Sequence, residues 1–441
     1  KLEELNRLIN GVESELIVDV GDPELLREVR YVLTLDADTQ LPPETARRLV
    51  ETIAHPLNEP RIDEEKRVVA EGYAIIQPRV CPSLPSVTAS VFSRLFADSP
   101  GLDPYCRTVS DVYQDLTGEG TFYGKGIYDP RVFHRLLSGR FPEEKILSHD
   151  LLEGAYLRVG FAGEVVLLDL FPPTYGAYAS RQHRWIRGDW QILDWLGPRV
   201  PLAGGGREPN PLSPINRWKI FDNLRRSLVA PGSLFLLLWS WFFSPFPLQG
   251  SVLVGLAYFW PGLPTLVRRL FRRPYTAPAR RELWCALAKS LLLLALLPHQ
   301  AFLAVDAVIR VWYRRLVSHR HLLAWETAQT ATRRYDSRDG RRRSVRAMTG
   351  VTLFALAVTG AAVFFAPGAV LVAAPFVGLW FFAPFIVWLL NLPLAGRRRV
   401  RLRAAERAFL REITRATWRY FDDFVGPADH WLPPDNYQEA L

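Results

Sequence analysis

Apolar residues recur at helical spacing from the first positions, Leu2, Leu5, Leu8 and Ile9, which predicts an amphipathic helix over the first ten residues. After the Gly21-Asp22-Pro23 turn, the pattern gives a short helix at Glu24–Glu28. A buried strand at Arg30–Leu35 follows, where β-branched and aromatic residues run together. That strand stops abruptly at Asp36-Ala37-Asp38-Thr39. Pro42-Pro43 then opens a helix with Ala46, Leu49, Val50 and Ile53 on its apolar face. Residues 55–67 are polar and proline-interrupted and read as a loop. Gly72–Pro78 predicts a second strand, Val87–Phe96 a helix and Ser99–Asp103 another loop. Val109–Leu116 leads into a glycine-dense strand and turn at 118–126, and Gly139 breaks a helix at Arg131–Leu137. Ser148-His149-Asp150 heads a helix over Leu151–Val159, and Glu164–Asp169 is the last predicted strand. Strands alternating with helices make this half α/β.

From Arg217 the pattern changes. Trp218, Phe221, Leu224 and Leu228 share one face with Lys219, Arg225 and Arg226 elsewhere, as in an interfacial helix. Ser227–Val267 holds no charged residue in 41 positions and Ala347–Gly396 none in 50. A spanning helix needs about 20 apolar residues, so each block predicts two spans. The first turns at Pro245-Phe246-Pro247, the second near Pro367-Gly368 or Pro375. Arginine clusters at 268–273, 333–343 and 397–399 flank the blocks, and positive charge favours the cytoplasmic side. Each stretch between two clusters must then cross an even number of times, and Ser290–Val305 is too short to cross twice. Trp284–Tyr313 is therefore expected to be an interfacial or groove helix, with a tilted single span as the alternative, and Asp306 and Arg310, four residues apart, are placed to pair on its surface. The resulting division is a catalytic-type domain at 1–200, an interfacial segment at 201–227 and two spans at 228–267. Cytoplasmic or interfacial helices fill 268–346, two more spans 347–396, and a cytoplasmic helix with a linker 397–441. Arg401–Val425 is the amphipathic part of that tail.

Net charge is +9, from 54 Lys and Arg against 45 Asp and Glu. The surplus is mainly arginine beside the apolar blocks, a membrane-flanking pattern, and no nucleic-acid-binding signature accompanies it. Three widely spaced cysteines, Cys81, Cys106 and Cys285, make neither a disulfide framework nor a metal-ligand cluster. The chain starts without methionine or signal peptide, which leads us to expect a segment of something longer.

The candidate chemistry gathers on a few segments. Ser180–Gln191 packs Arg181, His183, Arg184 and Arg187 among Trp185 and Trp190, with Asp189 the one acid. Such a segment suits a membrane-surface helix, or a site where arginines grip a diphosphate and tryptophan stacks on a sugar. Asp36 and Asp38, where a strand opens into a loop, suit either a capped turn or a divalent cation held by oxygens. Asp150 at a helix start is a plain cap or a general base, and His149 beside it shields the acid or simply starts the helix. The 118–126 turn lets backbone approach a ligand, with Glu119 and Lys125 within reach of sugar hydroxyls.

The order of these parts carries a resemblance. L-D-A-D-T-Q-L-P at 35–42, S-D-V-Y-Q-D-L-T-G-E-G at 110–120 and G-K-G-I-Y-D at 124–129 precede S-H-D-L-L-E-G at 148–154. R-Q-H-R-W-I-R-G-D-W-Q at 181–191 and W-L-P-P-D-N at 431–436 complete the series. The chain resembles processive membrane glycosyltransferases of the family-2-like superfamily, which includes cellulose, chitin and hyaluronan synthases. It resembles more closely the glycosyltransferase domain of bacterial cyclic β-1,2-glucan synthases, glycosyltransferase family 84. The resemblance implies an α/β GT-A-like domain, its N-terminal strand or strands missing, followed by an all-α transmembrane region in the bacterial inner membrane. The catalytic domain would face the cytoplasm. It implies UDP-glucose as donor, the growing glucan and the lipid bilayer as partners, no nucleic acid, flanking domains of the same polypeptide, and inverting transfer. Asp38 and Asp36 would hold Mg²⁺ or Mn²⁺, Asp150 would act as base, Arg184 with Arg181 would meet the leaving UDP, and Trp185 would stack under the acceptor. Gln182, His183, Gly120 and Lys125 would contact substrate. Tyr105 is the first candidate anchor for a covalently attached glucan, with Tyr113, Tyr123 and Tyr128 behind it. Two departures from the wider superfamily stand out: Arg181 where Q-x-x-R-W has glutamine, and His149-Asp150 in place of an acidic pair. The competing readings are a β-1,4- or β-1,3-glucan synthase of the cellulose-synthase type and a non-catalytic membrane scaffold.

Overall fold

The computed structural model describes residues 2–97, 111–263, 267, 277–324, 326, 328–394 and 402–434. The chain divides into two compact units, Arg30–Pro393 and a smaller one made of Lys1–Val29 with Leu394–Leu441. In the smaller unit the helix Leu2–Ile9 forms as its apolar spacing predicts. The next turn is a 3₁₀ helix, Pro23–Glu28, whose Asp22 accepts a hydrogen bond from the Glu24 N–H. The helix Ala404–Phe424 buries none of its residues.

The larger unit is built on a mixed sheet. Its strands are β1 (Val32–Thr34), β4 (Ile75–Pro82), β5 (Gly126–Tyr128) and β6 (Val159–Asp169), with β2 (Arg61–Asp63) and β3 (Val68–Glu71) forming a separate hairpin. The order is β1-β5-β4-β6, β4 and β6 running parallel while β5 is antiparallel to both neighbours. Alternate residues point to opposite faces. Ile75, Tyr128 and Val159 pack with Phe133, Tyr156 and Trp195 on one side. Ile76, Ile127 and Val165 pack with Leu49 and Ile53 of the helix Thr45–Ile53 on the other.

Several elements differ from the pattern-based expectation. The strand expected at Arg30–Leu35 is three residues long, lies at the sheet edge and is only half-buried. The helix expected from Pro42 starts at Thr45, because Glu44 turns left-handed (φ 66°), and Val50 on its expected apolar face is exposed. The polar loop 55–67 contains β2. The stretch Val87–Phe96 is restarted by Ser90, which caps the helix Val91–Phe96 in a reciprocal box with Ser93. Only Gly126 of the 118–126 segment lies in a strand, because its other backbone groups find partners elsewhere. The Gly120 N–H donates to Val159 O and the Tyr123 N–H to the Gln77 side chain.

Among the described residues one helix, Arg342–Phe365, is long and apolar enough to cross a membrane. Two bent pairs reach that length together: Leu283–Ala295 with Leu297–Ser318, at 60°, and Pro367–Phe381 with Ala383–Leu390, at 46°. In the first charge-free block the helices Val229–Phe242 and Pro247–Phe259 are shorter, 14 and 13 residues. Each then rises roughly 20 Å, against a hydrocarbon core of about 30 Å. The stretch expected as one interfacial helix, Trp284–Tyr313, is broken at Leu296, just before Pro298. No division in packing falls at residue 200. Phe92, Phe96 and Tyr175 share one core with Leu234, Trp241, Leu296 and Trp380 from the apolar helices.

Candidate active site

The D-A-D-T loop is fixed to the end of β6 rather than to its own strand. The Gln40 N–H donates to Leu168 O (2.7 Å) and the Leu168 N–H returns to Gln40 O (3.1 Å). The Thr39 hydroxyl donates to the Asp169 carboxylate at 2.8 Å. The carboxylates of Asp36 and Asp169 then converge on one ammonium, that of Lys125, which lies 2.9 Å from Asp36 and 2.5 Å from Asp169. Lys125 is 3% exposed, so it is held inside this ion-pair cluster. Burial pushes the Asp38 carboxyl above its usual range, Asp169 adds to that by repulsion, and Lys125 opposes it.

Asp150 is the first residue of the helix Asp150–Leu157. Its carboxyl rests against Gly124, whose φ is +79° and whose missing Cβ would lie 3.1 Å from the carboxylate atoms. The glycine of G-K-G therefore supplies both the left-handed turn and the space for the acid. Burial raises the Asp150 pKa to about 6, with repulsion from Asp36 behind it and attraction from Lys125 and Arg184 opposing it. His149 donates to Ile146 O (2.8 Å), and burial lowers its pKa.

The arginine-tryptophan segment lies on the helix Tyr175–Gln191, capped by Thr174. Burial lowers the pKa of Arg184, while the charges of Asp36, Asp150 and Asp38 pull it back. Arg181 is held to about 10 by burial, with Asp169 and Asp38 among the charges that offset it. Its guanidinium sits 4.8 Å from the Trp185 ring centroid, a cation–π contact one helical turn apart.

Asp150, Gln182 and Trp185 line a cavity of about 490 Å³, which also meets Tyr123, Asp189 and Asn223 and reaches Gln300 and Leu303 of the apolar helices. Lys219 donates to Gly120 O at 2.7 Å beneath it. His183 does not face this cavity; its Nε2 is 2.8 Å from Asp306, which also takes Arg310 at 2.6 Å. Tyr105 lies outside the described residues.

Four residues here have roles that sequence reasoning missed. Asp169 was visible only as an acid closing a predicted strand. Lys219 and Asn223 were read as parts of an interfacial helix. Asp189 was noted only as the lone acid of its segment, yet it lines the cavity, takes a hydrogen bond from Asn223 (2.9 Å), and is pushed by burial to about 7.

Among the described residues no group of three or more His, Cys, Asp or Glu forms a metal cage. Mg²⁺ is commonly held by one or two carboxylates together with substrate phosphates and water. Asp36 and Asp38 are the two carboxylates such a mode would use here, and Asp36 is held by Lys125 at 2.9 Å.

No protein-family model matches the chain. It is similar to the cyclic beta-(1,2)-glucan synthase NdvB of Rhizobium meliloti (strain 1021), with 36% identity over 454 residues. The match covers 100% of this chain and 16% of that protein, so the chain spans less than a fifth of its relative.

Proposed function

We propose that the chain, matched along its length to one segment of a cyclic β-(1,2)-glucan synthase, is a membrane glucosyltransferase of GT-A type that builds β-1,2-glucan from UDP-glucose. One observation carries the reading: Asp150, whose charge interacts with Asp36 and Arg184, lines one cavity with Trp185.

In this mechanism Asp150 takes the proton from the acceptor's 2-hydroxyl. The oxygen attacks the anomeric carbon from the face opposite UDP, and the glycosidic electron pair leaves with the diphosphate. A base with a pKa near 6 is ionised at neutral pH yet stronger than an ordinary aspartate. Mg²⁺ or Mn²⁺, when bound by Asp38 and Asp36, would neutralise the diphosphate charge. Arg184 meets charge developing on the leaving group. Trp185, stiffened by Arg181, offers a flat apolar face to the acceptor ring. Lys125 keeps Asp36 and Asp169 in place. The chain would lie in the inner membrane as a multi-pass protein with this cleft on the cytoplasmic side, beside other domains of its polypeptide.

Product linkage analysis on the full-length protein supplied with UDP-glucose tests the reading, with Asp150→Asn alongside. We expect β-1,2 linkages from the wild type and a loss of about 10²–10⁴-fold in transfer by the variant. A β-1,4 or β-1,3 product, or near-full transfer by Asp150→Asn, would overturn it.

A further inference from the structure

The helix Tyr175–Gln191 has a second functional face. Residues 178, 182, 185, 186 and 189 turn toward the large cavity, while 180, 183, 184 and 187 turn the other way, at the spacing of a separate helical stripe. This second stripe lines a pocket of about 370 Å³, closed by Arg310 and Arg314 of the neighbouring helical stretch and by Glu326. Four guanidinium groups thus face one space.

The acids nearby are already paired, and one of them offsets one of these four guanidinium groups. Asp306 is taken by Arg310 and His183, and Glu326 pairs with Arg334 at 3.5 Å. Arg314 donates to the carbonyl of His321 (2.8 Å), which satisfies one N–H and no charge. Arg187 is 8% exposed, pairs with no acid among the described residues, and its Nε has no hydrogen-bond partner. Burial lowers its pKa first, then repulsion from Arg314, Arg310 and Arg184, with Asp306 the one attraction. A buried cation without a counter-ion is costly and is kept where a ligand supplies the charge. Guanidinium groups arranged around one space suit a ligand with several oxygens and at least two negative charges, and a neutral glucan offers neither.

We propose that this pocket is a binding site for a phosphate group, distinct from the carboxylate cleft, with Arg187 and Arg314 as its principal grips. Arg184, which lines the pocket and interacts electrostatically with Asp36, Asp38 and Asp150, connects the two. The phosphate comes either from a soluble diphosphate such as released UDP or from the headgroup of an anionic lipid. The site does not depend on glucosyl transfer, and binding is read without any sugar donor.

The test uses the full-length protein in detergent with EDTA, which removes metal-assisted binding at the carboxylates. Pyrophosphate is titrated calorimetrically against wild type, Arg187→Gln and Arg314→Gln. In parallel, the protein reconstituted in phosphatidylcholine is compared with and without phosphatidylglycerol by thermal unfolding. Removing one charge-assisted hydrogen bond should weaken pyrophosphate binding about 10- to 100-fold. Ligand-free Arg187→Gln should melt no lower than wild type, since it removes an unpaired buried charge, and should lose the stabilisation that ligand gives. Weakened pyrophosphate binding assigns the site to a soluble diphosphate. Loss of the phosphatidylglycerol effect alone assigns it to a headgroup. If neither variant alters either response while both melt like wild type, or if ligand-free Arg187→Gln unfolds well below it, the proposal fails.

Discussion

Lys125 is the residue on which the carboxylate cluster balances. Its ammonium pairs with Asp169, which is largely buried, and with Asp36, which is mostly exposed, so the two bonds differ in worth. Removing a buried partner leaves the other charge uncompensated. We expect Lys125→Met to cost about 3 kcal/mol of stability, read by denaturant unfolding, most of it recovered in Lys125→Met/Asp169→Leu. If the double variant were no more stable than the single, the Asp169 pairing would not be the source of the cost. Asp189 gives a pH-dependent case away from this cluster. Its folded pKa, about 7, lies above its unfolded value near 3.8. The folded state therefore holds the proton more tightly, and stability falls as pH rises between those values, then stays low. Asp189→Asn removes that slope. Its melting temperature should match wild type near pH 4 and exceed it above pH 7, by several degrees. A constant offset across that window would rule out Asp189 as the titrating group. Asp36, Asp38, Asp150 and Arg184 stood out as candidates in sequence because each sits at a strand end, a helix start or in a dense motif. Asp169 and Arg187 were not, because what gives them meaning lies far along the chain. Lys125 is 44 residues from Asp169, and Arg310 and Arg314 belong to a segment whose pattern showed only a helix.

At the scale of elements, the loop at Gly124 and the start of the Asp150 helix act as one unit. The left-handed glycine places its empty side against the carboxylate, so backbone conformation sets where the acid points. Gly124→Ala would add about 1–2 kcal/mol of backbone strain and push a methyl group into Asp150. Misplacing a catalytic group by about 1 Å can cost 10²-fold in rate, so transfer should fall by about that factor while the fold persists. Unchanged transfer with intact folding would mean that the Asp150 position is not what this glycine serves. Glycine density alone predicted close backbone approach at 118–126 but assigned it to a strand and a ligand. The element that approaches is the protein's own Asp150. The break at Leu296 was missed for a related reason. A run of leucines before Pro298 is compatible with one helix having proline in its first turn, and equally with two helices meeting there. Tertiary packing selects the second, burying Leu294–Leu297 and tying Leu294 O to the Trp380 indole N–H at 3.0 Å.

At the scale of the molecule, composition drew a boundary near residue 200 that packing does not respect. The charge-free blocks begin after it, and hydropathy sees only that change. What it does not see is that Phe92, Phe96, Tyr175 and Ala179 pack into the apolar helices. Ile220, beyond the same boundary, packs back against the sheet-side cluster of Tyr128 and Trp195. The mixed half and the apolar half therefore hold each other's cores, and the cavity at Asp150 is walled by both. A chain ending at Leu212 would lack the Lys219 bond to Gly120 and the packing of Ile220, and would expose the aromatic cluster around Phe92. Large apolar patches laid open in this way lead to association. We expect the truncated chain to elute as aggregate and to bind an apolar dye strongly, with no cooperative melt. A monomeric fragment with a sharp unfolding transition would mean that the α/β half holds its own core. The cleft would then be rigid without the apolar helices, and the Asp150 cavity would not require them as its wall.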